Sequence, residues 1–358
     1  LVFVHLADRG TKGLANLGDS VRILEAVDFV ARTAGARPWV VNLSVGRHGG
    51  PHDGTTLAEM AFDYMLGSAP GCFIVQSTGN YFNRRVHARG RLKPGQTRTL
   101  DLHVDEADFT PNEMEVWYSA KDELEVCTRS PNGVISPWIR LDAHADVIEN
   151  GSVIGRIYNR ASDPNNSDNH IDIFLYPNAP PGVWAVTLRS LAASDGTFHA
   201  WLERDEACPG CQTRFNRFDA DRFYTTGTLA NSRIPLVVGA YNAHSLKREI
   251  APFSSVGPTR DLRLKPDLVA PGVDVLAARS ARRGRPYKRG MLIRKSGTSM
   301  AAPHVTGTVA LCLQGASRPL WGHEIRKLVL SAVEPVNRQD KYLLRYGRGY
   351  LDVAKTVN

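Results

Sequence analysis

The stretch KSGTSMAAPHVTG, residues 295–307, decides the fold of this chain. It places a serine, Ser299, where a glycine-containing turn passes into a helix-forming run. In the first turn of a helix the backbone N–H groups point outward and the dipole favours negative charge. Ser299 therefore suits either a helix cap or a nucleophile beside an oxyanion, and local spacing alone favours the cap. The residues predicted to face the core from this helix are Ala302, Val305, Val309 and Cys312.

Both ends of the chain show short apolar runs, and in the N-terminal part these alternate with helical periodicity. Strand–helix alternation at this spacing predicts a parallel sheet flanked by helices. The predicted strands are 1–6, 39–46, 71–80 and 234–242, and the predicted helices before residue 80 are 19–32 and 56–66.

Residues 84–228 have a different texture, with short β-rich runs separated by turn clusters such as SDPNNSDN. This pattern predicts an antiparallel β-sandwich, jelly-roll-like, inserted into the α/β layer. Four tryptophans in this stretch argue against the alternative, an elaborated loop system without its own core. The predicted domains are 1–83 and 229–358, two parts of one α/β catalytic domain, and 84–228, the insert.

Composition narrows the class of protein. The chain has 358 residues, 42% of them hydrophobic and 22% charged, as in globular proteins. Its net charge of +8 is not gathered on a basic face with interleaved aromatics, so we expect no nucleic-acid partner. No apolar run is long enough for a membrane span. The compartment stays open between secreted, cell-envelope and cytoplasmic locations.

The five cysteines are an odd number and form no disulfide framework. Cys208 and Cys211 could form a local disulfide or half of a metal site. Because no second ligand pair lies nearby, we read them as an incidental pair. The run 278–290 carries six basic residues and is read as a solvated connector.

The segment GTSMAAPHVTG resembles the nucleophile signature of the subtilisin-like serine proteases, and the match is long and specific. Further segments resemble this family in its own order: VVNLSVG, IVQSTGN, APFSSVGPTRDLRLKPDLVAPGVDV and YGRGYLDVAKTV. More weakly, the insert resembles the jelly roll of bacterial spore-germination proteases. The resemblance implies a subtilisin-like α/β fold and a serine endopeptidase.

The resemblance also implies residue roles. Ser299 would attack the scissile carbonyl, and the side-chain amide of Asn80 would stabilise the oxyanion together with the Ser299 N–H. An extended peptide substrate would pair with one strand, and a facing segment would form the opposing wall of its pocket. The substrate-binding residues are Ser44, Val45 and Gly46 on the first side and Ser77, Thr78 and Gly79 on the second.

A serine nucleophile needs a base, and no family motif for the catalytic Asp and His is present. We read His304 as structural, His52 and Asp53 as a loop or subsite feature, and His5 as packed in a strand. We expect the native protein to continue upstream with the missing residues, so that the chain alone is inactive or nearly so. A bound N-terminal segment or propeptide is a second expected partner beside the polypeptide substrate.

Two other functions remain open at this point. The chain could be a catalytically inactive subtilase that binds peptides or regulates a partner, or a ligand-binding β module on a vestigial protease frame. No cofactor or metal site is predicted. Calcium is left open without an assigned site, because the oxygen-rich run 162–170 lacks an EF-hand pattern and reads as an Asx-rich turn.

Overall fold

A computed structural model of the chain describes residues 1–4, 6, 20–205, 208, 210–280, 290–336 and 343–357. The prediction for His5 and most of the basic run 278–290 lie outside these residues. Residues 1–4 and 6 form no strand, so the strand predicted over 1–6 is wrong for the part that is described. A run of apolar residues becomes a strand only where a neighbour supplies hydrogen bonds, and none of the described strands pairs with it.

Four parallel strands form the central sheet, in the order β1-β2-β13-β14. They are β1 (Trp39–Leu43), β2 (Cys72–Ser77), β13 (Leu236–Tyr241) and β14 (Leu268–Pro271). The inner strands β2 and β13 are buried along almost their whole length, as continuous apolar runs in parallel sheets are. Because β2 pairs with β13, the sheet joins parts of the chain that lie far apart in sequence.

Helices cover this sheet. They are α1 (Ser20–Ala34), α2 (Leu57–Ser68), α3 (Thr298–Gly315), α4 (Gly322–Ala332), α5 (Leu343–Tyr346) and α6 (Val353–Val357). Thr56 caps α2, since its hydroxyl accepts a hydrogen bond from the Glu59 N–H at 3.3 Å. Helix α3 packs on the sheet with Ala302, Val305 and Val309 fully buried, as its spacing predicts.

Along the chain, two antiparallel sheets come between β2 and β13 of the parallel sheet. One has the order β12-β4-β10-β6, with β4 (Thr97–Val104), β6 (Glu123–Arg129), β10 (Gly182–Ala192) and β12 (Arg214–Phe215). The other has the order β3-β11-β5-β9-β8-β7, with β3 (His87–Arg91), β5 (Asn112–Tyr118), β7 (Ala143–Glu149), β8 (Ser152–Arg160), β9 (Asn169–Leu175) and β11 (Thr197–Leu202).

The two antiparallel sheets share one hydrophobic cluster, to which β10 contributes Trp184 and β11 contributes Phe198. Both side chains are fully buried. The alternative of a loop system without a core is therefore wrong. The domain boundaries at residues 83 and 228 stay predictions.

A short hairpin and a disulfide complete the architecture. Strands β15 (Val275–Ala278) and β16 (Leu292–Lys295) pair in the segment before α3. Cys208 and Cys211 form a disulfide, which corrects our reading of an incidental pair. A turn brings them together, because the Cys211 N–H donates to the Cys208 carbonyl at 2.9 Å. Among the described helices, none is long and apolar enough to cross a membrane.

Buried histidines join the loop after β1 to the antiparallel sheets. The ring of His52 stacks on Trp201 of β11 with centroids 4.1 Å apart. The Nδ1 atom of His48 lies 3.0 Å from the Leu202 carbonyl oxygen. Burial lowers the pKa of His48 to about 4, because a charged ring would lose its hydration there. His48 and His52 are both fully buried, so this contact is part of the folded core.

Candidate active site

Ser299 is the second residue of α3 and is half-buried. The preceding Gly297 has φ +154°, a backbone conformation that disfavours residues with a side chain. Pro303 lies inside the helix and lacks an N–H, so the Ser299 carbonyl has no donor from the next turn. The sequence therefore turns sharply into the helix at Gly297 and presents Ser299 at its first turn.

Asn80 follows β2 and is fixed to the start of α3. Its Oδ1 atom accepts hydrogen bonds from the N–H of Thr298 at 3.0 Å and from the Thr298 hydroxyl at 3.2 Å. The same Thr298 hydroxyl oxygen in turn accepts a hydrogen bond from the Gly79 N–H at 3.2 Å. Because these bonds occupy the carbonyl end of the Asn80 amide, its Nδ2 donor end remains for another acceptor.

The Asn80 and Ser299 donors border the same small space. A Cβ atom built on Gly297 would lie 3.7 Å from Asn80 Nδ2 and 3.8 Å from the Ser299 nitrogen. As the second residue of the helix, Ser299 has an N–H without an acceptor within the helix. Two N–H donors this close to one point are the kind of pair that stabilises a developing oxyanion in acyl-transfer enzymes.

Asn80 and Ser299 both line a cavity of about 270 Å³. Of the eight residues predicted from the sequence, all but Thr78 line it: Ser44, Val45, Gly46, Ser77, Gly79, Asn80 and Ser299. Thr78 is fully buried, and its carbonyl accepts a hydrogen bond from the Gly227 N–H at 2.8 Å. The structure thus brings Ser299 and Asn80 together with both predicted walls, while Thr78 holds one wall in place from behind.

The turn that carries Asn80 admits only glycine at position 79. Gly79 has φ +103°, and a Cβ there would lie 2.9 Å from the Tyr81 ring. The turn is held from the other side, because the Tyr81 N–H donates to the Ser255 hydroxyl at 2.8 Å and the Ser255 N–H donates to the Gly79 carbonyl at 3.0 Å. Asn80 is consequently presented by a rigid turn.

Several lining residues were missed by sequence reasoning. Thr298 stands within the nucleophile motif, and its position next to Ser299 was the available signal. The other residues come from the loop after β1, the turn after Asn80, and the end of the antiparallel unit, which carry no motif. They are Arg47, Tyr81, Arg84, Arg204, Asp205, Gln212 and Gly227.

Charged groups tie the cavity wall to the antiparallel unit. Arg47 donates from Nε to Glu203 at 3.0 Å and from Nη2 to Glu113 at 2.9 Å. Burial alone would raise the pKa of Glu203, but Arg47 and the backbone N–H groups of Arg204, Gly49 and His48 hold that pKa below its ordinary value. Glu203 is therefore ionised and anchors this wall.

Among the described residues, no histidine lines the cavity. The Nδ1 atom of His304 lies 3.0 Å from the Met300 carbonyl oxygen, so its ring is bound to its own helix. His52 is buried against Trp201, while Asp53 forms an ion pair with Arg260 at 2.6 Å. The side chains of His52 and Asp53 thus make separate contacts away from the cavity.

The described residues contain no group of three or more His, Cys, Asp or Glu side chains that could hold a metal ion. In the run 162–170, side-chain oxygens bind nearby backbone N–H groups: Asp163 accepts from Asn165 at 2.9 Å and Asn166 accepts from Asp168 at 3.0 Å. These are the Asx turns predicted for this run. Calcium, for which the sequence assigns no site, stays an open question.

Comparison with known proteins gives the class to which this site belongs. Residues 207–349 match the subtilase family, Peptidase_S8. This segment contains the whole GTSMAAPHVTG motif. The chain therefore carries a subtilase domain.

Its relatives are subtilisin-like proteases. Pyrolysin of Pyrococcus furiosus is 32% identical over 152 residues, which are 36% of this chain and 10% of pyrolysin. Bacillopeptidase F of Bacillus subtilis is 32% identical over 135 residues, which are 37% of this chain and 9% of that protein. The matched segments thus span about a tenth of each relative's own length.

One solved structure is similar over nearly the whole chain. The CspB protease of Clostridium perfringens superposes with a TM-score of 0.79 and 25% sequence identity. The superposition covers 94% of this chain and 70% of CspB, so it includes the antiparallel unit as well as the parallel sheet.

Proposed function

We propose that this chain forms part of a serine endopeptidase that cleaves polypeptides through an acyl-enzyme at Ser299. One observation carries the proposal: Asn80 and Ser299 line the same cavity, and Asn80 Nδ2 and the Ser299 nitrogen lie 3.7 and 3.8 Å from the point that a Cβ on Gly297 would occupy. The family and the relatives add support, since all are subtilisin-like proteases. The proposed chemistry uses no cofactor.

In the proposed reaction the Ser299 oxygen attacks the scissile carbonyl carbon while a base takes the hydroxyl proton. The carbonyl oxygen becomes an oxyanion that accepts hydrogen bonds from Asn80 and from the Ser299 N–H. Collapse of this intermediate breaks the C–N bond, and the departing amine takes the proton from the base. Water then repeats the sequence on the ester and releases Ser299.

The substrate would lie extended between the two walls of the cavity. Ser44, Val45 and Gly46 directly follow β1 at the edge of the parallel sheet and form no strand with another described segment. Their backbone groups suit pairing with an extended peptide, which fixes the substrate backbone and leaves one side chain for the cavity. Ser77 and Gly79 form the facing wall.

No described histidine lines the cavity, so in this proposal the base comes from outside the described residues. The test is labelling of the full-length protein with a fluorophosphonate probe, which reacts only with an activated serine. We expect labelling that disappears in Ser299→Ala. Ser296→Ala is a matched control, since Ser296 lies just before the turn and is exposed.

The lack of a histidine among the described residues that line the cavity favours a second candidate function, that of a catalytically inactive subtilase that binds peptides. Its signature would be absence of fluorophosphonate labelling in folded, full-length protein together with saturable binding of an extended peptide. Labelling at Ser299 would rule out this second function.

We further propose that the antiparallel unit is of the jelly-roll type. Its strand pairs are nested in the chain, from the outermost pair to the innermost. In that order, they are β4 with β12, β5 with β11, β6 with β10 and β8 with β9. Successive pairs alternate between the two sheets. Rolling one long hairpin into two sheets gives such nesting. Experimental coordinates with a different strand pairing would contradict this assignment.

A further inference from the structure

A second cavity, of about 280 Å³, lies near the starts of two strands of the parallel sheet, whereas Ser299 lies near the ends of those strands. The two strands are β13 and β14, and several residues that line the cavity directly precede them in the chain. Its lining is unusual, because it contains five cationic side chains and one carboxylate. The residues are Arg233, Arg263, Lys265, Arg326 and Arg348, with Asp267 and Leu264.

Two carboxylates neutralise only part of this charge. Asp267 accepts from Lys265 Nζ at 2.9 Å and also from Arg326. Asp261 accepts from Arg263 at 2.7 Å and from Arg233 at 3.3 Å.

Arg348 is exposed and has no ion pair among the described residues. A third carboxylate, Asp63, is committed to backbone N–H groups, those of Arg233 and Ile234. Five cations against three carboxylates leave two positive charges unmatched.

Lys265 is buried at the base of the cavity. Burial lowers the pKa of Lys265 to about 8, and although Asp267 opposes the shift, Arg326 and Arg263 add to it. A lysine with an ion-pair partner ordinarily keeps a high pKa. The lowered pKa of Lys265 thus follows mainly from its burial, and the two guanidinium groups add to it.

We propose that this cavity, which we call the basic cleft, binds a phosphate-class oxyanion. Arg233 and Arg348 are exposed at its rim, and a guanidinium offers paired N–H donors that match two oxygens of a phosphate. Lys265 supplies a fixed positive charge at the base. A phosphate dianion would balance the two unmatched positive charges, whereas a chloride ion or a neutral ligand would not.

A bound oxyanion would connect three separate parts of the chain. Arg233 lies just before β13, Arg326 is in α4, and Arg348 lies between α5 and α6. A ligand held by all three binds the folded state and not the unfolded chain, so it raises the free energy of unfolding. The basic cleft would thus act as a stabilising site, independent of the chemistry at Ser299.

The test compares thermal unfolding of the chain in sodium phosphate and in sodium chloride at equal ionic strength. We expect phosphate at about 10 mM to raise the unfolding temperature above that in chloride, and Arg348→Gln to weaken phosphate affinity about tenfold, the worth of one charge-assisted hydrogen bond. The matched control is Arg91→Gln, which removes an equal charge from an exposed arginine of the antiparallel unit. It should bind phosphate like the wild type.

Titration calorimetry with inorganic phosphate gives the affinities directly. Displacement of phosphate by a phosphoseryl peptide at lower concentration would identify the source as a phosphorylated protein, and weaker displacement would identify the free anion. Equal responses of Arg348→Gln and Arg91→Gln would overturn the proposal, because a general salt effect does not distinguish them. So would a wild type that phosphate stabilises no more than chloride does.

Discussion

Acidification should weaken the contact that His48 makes between the loop after β1 and the antiparallel unit. His48 is fully buried, and its Nδ1 faces the Leu202 carbonyl at 3.0 Å. Because a carbonyl only accepts, the neutral ring carries its proton on Nδ1. A second proton would go to Nε2, which is buried without a hydrogen-bond partner among the described residues.

The size of the effect follows from the pKa of His48, which burial lowers from 6.5 to about 4. Below pH 6.5 the unfolded chain binds a proton at this position and the folded chain does not, so protons favour unfolding. The stabilisation is complete above the unfolded pKa and falls as the pH drops toward the folded one. Between about pH 7 and pH 5 the loss from His48 alone is about 2 kcal/mol.

Denaturant unfolding of the wild type and of His48→Gln at both pH values measures this loss. Glutamine keeps a donor for Leu202 but does not titrate. Other groups titrate in both proteins, so comparison of the two pH dependences isolates His48. We expect the wild type to lose about 2 kcal/mol more than the variant on acidification. If acidification lowers the free energy of unfolding equally in the two proteins, the reasoning is refuted, whatever the difference in their stability at neutral pH.

Two further predictions concern the turn before Ser299 and the core. Gly297→Ala places a methyl beside both oxyanion donors and forces a residue with a side chain to φ +154°, so we expect a loss of about 1–3 kcal/mol in stability and about 100-fold or more in fluorophosphonate labelling. Gly307→Ala, in the same helix with open space around it, should gain about 0.5–1 kcal/mol and label normally; equal labelling of the two would contradict the assignment of this space. Phe62→Ala empties a fully buried site and should cost about 3–5 kcal/mol in denaturant unfolding. Tyr64→Ala on the exposed face of the same helix should cost less than about 0.5 kcal/mol, and a similar cost for both would show that Phe62 does not pack as described.

The sequence predicted β1, β2 and β13 of the parallel sheet but not β14, and the clearest signals were those of β2 and β13, which are buried on both faces. Runs such as CFIVQS are apolar almost throughout, and that signal survives without knowledge of neighbours. In the strands β3, β7 and β8 charged and polar residues interrupt the apolar pattern, as in HARGR and SVIGRIYNR, so that pattern alone does not predict them. Their strand character comes from the partners they pair with rather than from their own residues.

The site was predicted unevenly for a similar reason. Ser299 and Asn80 stand in motifs, whereas the role of Thr298 depends on a bond to Asn80 that only the fold creates. Arg204 and Gln212 reach the cavity from the end of the antiparallel unit, far from any motif. Long-range placement of this kind leaves no periodic or compositional trace in the sequence.

The pairing of β2 with β13 has a consequence for how the molecule is made. Ser77 lies beside Val238 in the finished sheet, with the entire antiparallel unit between them in the chain. During vectorial synthesis that unit is made before Val238, and domains generally fold as units with the N-terminal part first. We therefore expect the sheet that holds Asn80 against Thr298 to form late, and a variant that delays the folding of residues 84–228 to delay formation of the cavity that Ser299 lines.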